Sequence, residues 1–214
     1  MRTLLDTELY ALTDAGLSCG RSVVDVADAM LRAGVRVLQY REKDRKPGVM
    51  LDECLQLRRM TRDAGCTFIV NDHVDIALLA DADGVHVGQE DLPVEAVRQL
   101  LGSDKIIGLS THSPEQCRDA IARGADYIGV GPLFATRTKR DVCDPVGLEY
   151  LDYVVAHHDI PHVAIGGIKL HNVAEVVRRG ARCCALVSEI VGAEDVEGMV
   201  RRLRETIIAA RRVG

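Results

Sequence analysis

The residues best equipped for chemistry in this chain fall directly after short apolar runs. Behind the runs that end near residues 40, 71, 87, 109, 130, 165 and 187 come, in turn, Gln39-Tyr40-Arg41-Glu42-Lys43, Asn71-Asp72-His73, Gly88-Gln89-Glu90-Asp91, Ser110-Thr111-His112, the stretch from Gly131 to Thr136-Arg137-Thr138-Lys139, Gly166-Gly167, and Ser188. Asp72 and Asp91 follow successive runs, so on adjacent strands their carboxylates would meet across a gap that one Mg²⁺ fills. That ion takes one or two protein carboxylates and completes its shell with water and phosphate oxygens. Taken singly, each Asp reads as a helix cap, Asp91 especially because Leu92-Pro93 follows it. Arg41, Lys43 and Lys139 on the same rim shift the reading to a metal-bound diphosphate, whose growing negative charge on departure needs cations in a dry site. Glu42 reads as a carboxylate that orients its two basic neighbours. Gly166-Gly167 and Val187-Ser188 suggest a second anion site, since glycine lets backbone N–H groups approach a phosphate closely. Two such ends imply two phosphorylated small molecules and displacement of diphosphate by a nucleophile on the other substrate. No Ser-His-Asp or Cys-His set is placed to act as an enzyme nucleophile.

Residues so scattered converge only if the elements between them bring strand ends to one rim. The apolar runs Glu8 to Thr13, Val35 to Tyr40, Thr67 to Asn71, Gly84 to Val87, Lys105 to Leu109, Tyr127 to Val130, His162 to Ile165 and Cys183 to Val187 read as eight strands. Helical spacing of apolar residues marks Val23 to Ala33, Met50 to Ala64, Pro93 to Leu101, Pro114 to Arg123, Gly147 to His157, Leu170 to Arg179 and Val196 to Arg211 between them. Arg32-Ala33-Gly34, Arg123-Gly124-Ala125 and Arg179-Gly180-Ala181 recur between a helix and the next strand, where Gly can close a helix in the left-handed conformation. Eight parallel strands with short connections predict a single (β/α)8 TIM barrel over residues 1–214, whose active site lies at the C-terminal ends of its strands.

Composition narrows the function classes. The net charge of −5, two Phe, five Tyr and no Trp argue against a nucleic-acid surface of basic stripes and stacking aromatics. No apolar stretch reaches the roughly 20 residues of a membrane span. The seven Cys form no C-x-x-C pair and follow no secretory signal, so they read as reduced and the chain as cytoplasmic. His157, His158 and His162 lack the partners of a zinc site and read as solvated residues around a strand entry. A homo-oligomer is left open.

These motifs together resemble the thiamine phosphate synthase family. The resemblance rests on QYREK at Gln39 to Lys43, ND at Asn71 and Asp72, ADGVHVGQEDL at Ala82 to Leu92, IGLSTHS at Ile107 to Ser113, GADYIGVGPLFATRTK at Gly124 to Lys139, AIGGI at Ala164 to Ile168 and VSEI at Val187 to Ile190. It implies a transferase that joins a hydroxymethylpyrimidine diphosphate to a thiazole phosphate, giving thiamine phosphate and diphosphate. By matching position, it implies that Gln39, Tyr40, Arg41, Glu42, Lys43, Asn71, Ser110 and Lys139 bind the pyrimidine diphosphate, with Arg41, Lys43, Ser110 and Lys139 acting in catalysis. It further implies that Asp72 and Asp91 hold Mg²⁺, and that Thr136, Arg137, Thr138, Gly167, Val187 and Ser188 hold the thiazole phosphate. The implied mechanism is dissociative, with diphosphate leaving before the thiazole nitrogen attacks. Tyr40, His73 and Ala135 depart from the pattern, standing where an aliphatic residue, Arg and Pro are common. The alternatives are a thiazole tautomerase-like isomerase and a catalytically silent ligand-binding relative; Asp91 and Thr138-Lys139 favour the synthase.

Overall fold

The computed structural model describes residues 7–136, 138 and 143–212. Eight strands, β1 (Leu9–Leu12), β2 (Val37–Tyr40), β3 (Thr67–Asn71), β4 (Gly84–Val87), β5 (Ile106–Thr111), β6 (Tyr127–Val130), β7 (His162–Ala164) and β8 (Cys183–Leu186), pair in parallel in sequence order. β8 closes on β1 through Leu9 opposite Cys184, making a closed barrel. Each strand follows the two-residue alternation of pleated backbone. Tyr10, Leu12, Val37, Ile69, Tyr127, Val163, Cys183 and Ala185 point inward and pack on one another. Their neighbours, Leu9, Ala11, Leu38, Phe68, Val70 and Ile128 among them, point outward into the larger core beneath the helices.

The helices are α1 (Val23–Arg32), α2 (Pro47–Asp63), α3 (Val74–Leu79), α4 (Val94–Leu101), α5 (Pro114–Ala122), α6 (Gly147–His157), α7 (Val173–Arg178), α8 (Ser188–Val191) and α9 (Val196–Arg211). Local chemistry starts several of them: Ser22, Ser113 and Asp195 each accept a backbone N–H three residues on, at 3.0, 3.3 and 2.9 Å. Gly34, Gly124 and Gly180 of the recurring phrase all take positive φ, at 86°, 80° and 98°, as the repeat predicts.

Three departures from the sequence expectation have simple causes. β5 runs on to Thr111, which places Ser110 within the strand instead of in the loop behind it. α2 starts at Pro47, because a proline in the first turn loses no helix hydrogen bond. α3 and α8, of six and four residues, are too short to display helical periodicity. All seven cysteines are free thiols, five of them buried. No helix among the described residues is long and apolar enough to cross a membrane.

Candidate active site

A cavity of about 560 Å³ opens at the C-terminal ends of the strands. In a closed eight-stranded barrel β2, β3 and β4 face β6, β7 and β8, so the cavity has two opposed walls. Arg41, Lys43, Asn71, Asp72 and Asp91 line the first. Gly166, Gly167, Val187 and Ser188 line the second, and Thr136 and Thr138 lie with them, their hydroxyls 3.2 Å apart. Arg137 and Lys139, expected at this rim, lie outside the described residues.

The first wall is built by ties between successive loops. The Arg41 N–H donates to Thr13 Oγ1 at 2.9 Å, and its guanidinium reaches Asp14 at 3.3 Å while remaining mostly buried. Asp72 adopts φ 62°, a left-handed conformation that Asp and Asn tolerate best among residues with a side chain. Its N–H is held by the His86 carbonyl at 2.9 Å. The Asp72 and Asp91 carboxylates stand within hydrogen-bonding reach of each other. Burial first, and then the Asp91 charge, push the Asp72 carboxyl up to about 6, against the pull of Lys43 and Arg41. Lys43 Nζ is 4.0 Å from Asp72. Neither Asp caps a helix. The residue preceding α3 is His73 and that preceding α4 is Pro93, and neither start carries a side-chain cap. Asp91 instead accepts the Gly88 N–H at 2.7 Å, closing its own loop.

Two residues of the Gln39–Lys43 run are corrected by the structure. Tyr40 is an outward residue of β2, and its hydroxyl donates to Glu53 of α2 at 2.6 Å, so its ring packs under the helices and not against the cavity. Glu42 also turns away from the cavity. Both its oxygens accept the Ala15 N–H, at 3.1 and 2.9 Å, so it anchors the loop after β1 and touches neither basic neighbour in this way. Burial raises its pKa, opposed by those bonds. Gln39, by contrast, points inward from β2 and lines the cavity, as do Asn71 and Ser110.

The floor of the cavity is a hydrogen-bonded chain that sequence reasoning missed. Gln39 Nε2 donates to the Tyr10 hydroxyl at 2.8 Å; Tyr10 and Tyr127 hydroxyls are 2.9 Å apart; Tyr127 lies 3.0 Å from His86 Nδ1, and His86 Nε2 lies 2.9 Å from Ser110 Oγ. The amide N–H can only donate, which sets the direction of the rest. If Tyr10 donates to Tyr127, Tyr127 donates to Nδ1 and Nε2–H donates to Ser110, every buried hydrogen finds an acceptor. The reverse order strands the Tyr10 hydrogen. Both tyrosine hydroxyls are held neutral, with pKa values driven up by burial. The Ser110 hydrogen is then left to point at whatever occupies the cavity. A His at an inward position of Gly84–Val87 was the available sequence signal, since such interiors are ordinarily apolar. Gln89, named at the rim without a role, donates to the Ser110 carbonyl at 2.6 Å.

The site therefore offers a carboxylate pair, Asp72 partly buried and Asp91 exposed, beside cations, a polar floor with directed donors, and a glycine-rich wall opposite. The thiamine monophosphate synthase family model matches residues 9–190. The thiamine-phosphate synthase of Pelotomaculum thermopropionicum is 61% identical over 204 residues, covering 95% of this chain and 94% of that protein. That of Lawsonia intracellularis is 57% identical over 206 residues, covering 96% and 95%. The solved structure of a thiamine phosphate pyrophosphorylase from Pyrococcus furiosus superposes with a TM-score of 0.87 at 36% identity, over 95% of this chain and 96% of that one. On these matches, which run through every strand of the barrel, this chain belongs to the thiamine monophosphate synthase family and is a transferase.

Proposed function

We propose that the barrel condenses a hydroxymethylpyrimidine diphosphate with a thiazole phosphate, forming thiamine phosphate and releasing diphosphate, with Mg²⁺ at Asp72 and Asp91. The observation that carries this reading is one cavity with a basic-and-acidic wall facing a separate glycine-rich wall, which suits two phosphorylated molecules held end to end. The donor chemistry fits the metal. Two hard oxygen ligands lie within reach of each other, and burial, followed by the Asp91 charge, raises the pKa of Asp72, so a cation between the two carboxylates would favour their ionised forms.

Arg41, Lys43 and Lys139 bind the diphosphate, and Asn71 meets it from the end of β3. Bound there, Mg²⁺ supplies charge neutralisation to the leaving group. The C–O bond breaks with its electron pair on diphosphate, and the aminopyrimidine ring spreads the positive charge left on the methylene carbon. Gln39 and Ser110 hold that ring from the directed floor. The thiazole nitrogen then contributes its lone pair to the new C–N bond, its phosphate held by Gly167, Val187 and Ser188 together with Thr136 and Thr138, and Arg137 completes that set of contacts. Tyr10 and Tyr127 keep water from the carbon by filling the space below it.

The test mixes purified protein, both substrates and Mg²⁺, and measures thiamine phosphate and diphosphate by chromatography. Equimolar products that vanish when either substrate is omitted are expected. Isomerisation of the thiazole alone, without pyrimidine diphosphate, would overturn the reading in favour of an isomerase.

A further inference from the structure

Bonded to Ser188 but not itself lining the cavity is a lysine with no role in the proposed reaction. Lys169 follows the Gly166-Gly167 turn, and its Nζ donates to Ser188 Oγ at 2.8 Å. The same ammonium lies 3.1 Å from Glu189 Oε2, while Glu189 Oε1 accepts the Leu170 N–H at 3.1 Å. The Lys169 main chain is fixed as well: its N–H donates to Asn172 Oδ1 at 2.7 Å, and Asn172 Nδ2 donates to the Gly167 carbonyl at 3.1 Å. Glycine turn, lysine and serine thus form one braced unit.

A serine hydroxyl has a single hydrogen. Once its oxygen accepts from an ammonium that has no lone pair to offer, that hydrogen must be donated elsewhere. Ser188 lines the cavity and Lys169 does not. We propose that Lys169 is a positioning residue for the second substrate: it turns the Ser188 hydroxyl into an obligate donor toward the cavity and adds positive charge behind it, selecting a phosphorylated thiazole over its free alcohol. Glu189 offsets part of that charge and prevents the flexible lysine from swinging away. The inference rests on the proposal that Ser188 and Gly167 hold the thiazole phosphate.

The test uses Lys169→Met, which keeps the stem and loses the charge, Lys169→Arg, and Lys169→Thr in case the methionine variant does not fold, each checked by thermal melting. Loss of a charge-assisted contact should raise KM for the thiazole phosphate about tenfold, leaving KM for the pyrimidine diphosphate within about twofold, and Lys169→Arg should recover most of the loss. Adding Ser188→Ala to Lys169→Met should cost little more, because the two act as one unit. An unchanged thiazole phosphate KM, equal weakening of both substrates, or independent multiplication of the two substitutions overturns the proposal. Calorimetric binding of inorganic phosphate separates this from the parent reading. If wild type fails to make thiamine phosphate, the proposed reaction falls, while weaker phosphate binding in Lys169→Met still supports the role of Lys169 and equal binding still refutes it.

Discussion

Replacing Asp72 with Asn should make the metal-free protein more stable and the enzyme nearly inactive. The substitution keeps the size of the side chain and the left-handed backbone at φ 62°, which Asn accepts as readily as Asp. What it removes is a charge crowded against Asp91. A rise of the Asp72 carboxyl to about 6, about two pH units above its ordinary range, is worth about 3 kcal/mol. The side chain keeps 27% of its exposure, and solvent screening brings the figure to about 2 kcal/mol. For a chain of this length that is a gain of about 4–8 °C in melting temperature. The sign with pH follows from linkage. Well below pH 4 the carboxyl is protonated in folded and unfolded chains alike, so wild type and variant should converge toward that limit. As pH rises from about 4 to 6, the unfolded chain gives up this proton while the folded wild type keeps it, so wild type loses stability and the gap opens, reaching its full size above about 6. Mg²⁺ should raise the melting temperature of wild type and leave Asp72→Asn almost unmoved, with turnover down about a hundredfold. Calorimetric melts from pH 4 to 8, with and without Mg²⁺, together with steady-state rates, decide the matter. A variant that melts at or below wild type at pH 7.5, or that keeps wild-type rates and Mg²⁺ dependence, would refute the carboxylate-pair reasoning.

Gly167→Ala places a Cβ 2.7 Å from both the Ala135 carbonyl oxygen and Phe134 Cβ, at φ 66°. It should cost about 1–2 kcal/mol and raise KM for the thiazole phosphate selectively, which melting and initial rates check. Tyr127→Phe removes the acceptor of the Tyr10 hydrogen and the Tyr127 bond to His86 Nδ1; a loss of about 2–4 kcal/mol by denaturant titration is expected, with reduced turnover. Glu42→Ala frees the Ala15 N–H and slackens the loop that holds Asp14 against Arg41. KM for the pyrimidine diphosphate should rise about fivefold, on the scale of one lost hydrogen bond, although Glu42 itself faces away from the cavity; an unchanged value would deny that indirect role.

What could be read from the sequence follows the physics of each signal. A buried parallel strand announces itself by a short apolar run, and all eight were legible in order. The repeated Gly before three strands was legible because only a positive φ demands it there. The four-residue α8 was not, since one turn of helix has no period to detect. The rim was legible as residue types, yet not the direction in which each side chain points. Tyr40 and Glu42 share a run with Gln39, Arg41 and Lys43, and pleating alone sends Tyr40 to α2 while its neighbour Gln39 enters the barrel.

The polar floor shows why the interior was the harder part to read. Tyr10, Gln39, His86, Ser110 and Tyr127 come from five strands, separated by as much as 117 residues between hydrogen-bonded partners. No local pattern links them, and each alone would be a costly polar group in a core. The shared register of β1 and β2, with Leu12 opposite Gln39, brings Gln39 to Tyr10, and the closure of β8 on β1 brings Tyr10 within reach of Tyr127 of β6. The chain of donors then makes each group affordable by satisfying the next, so its members stand or fall together. Gly108 confirms the tightness of the arrangement: a Cβ there would lie 2.1 Å from the Tyr127 ring and 2.5 Å from His86 Nδ1. Glycine at that position is thus as much a part of the floor as the two aromatic side chains it lets pass.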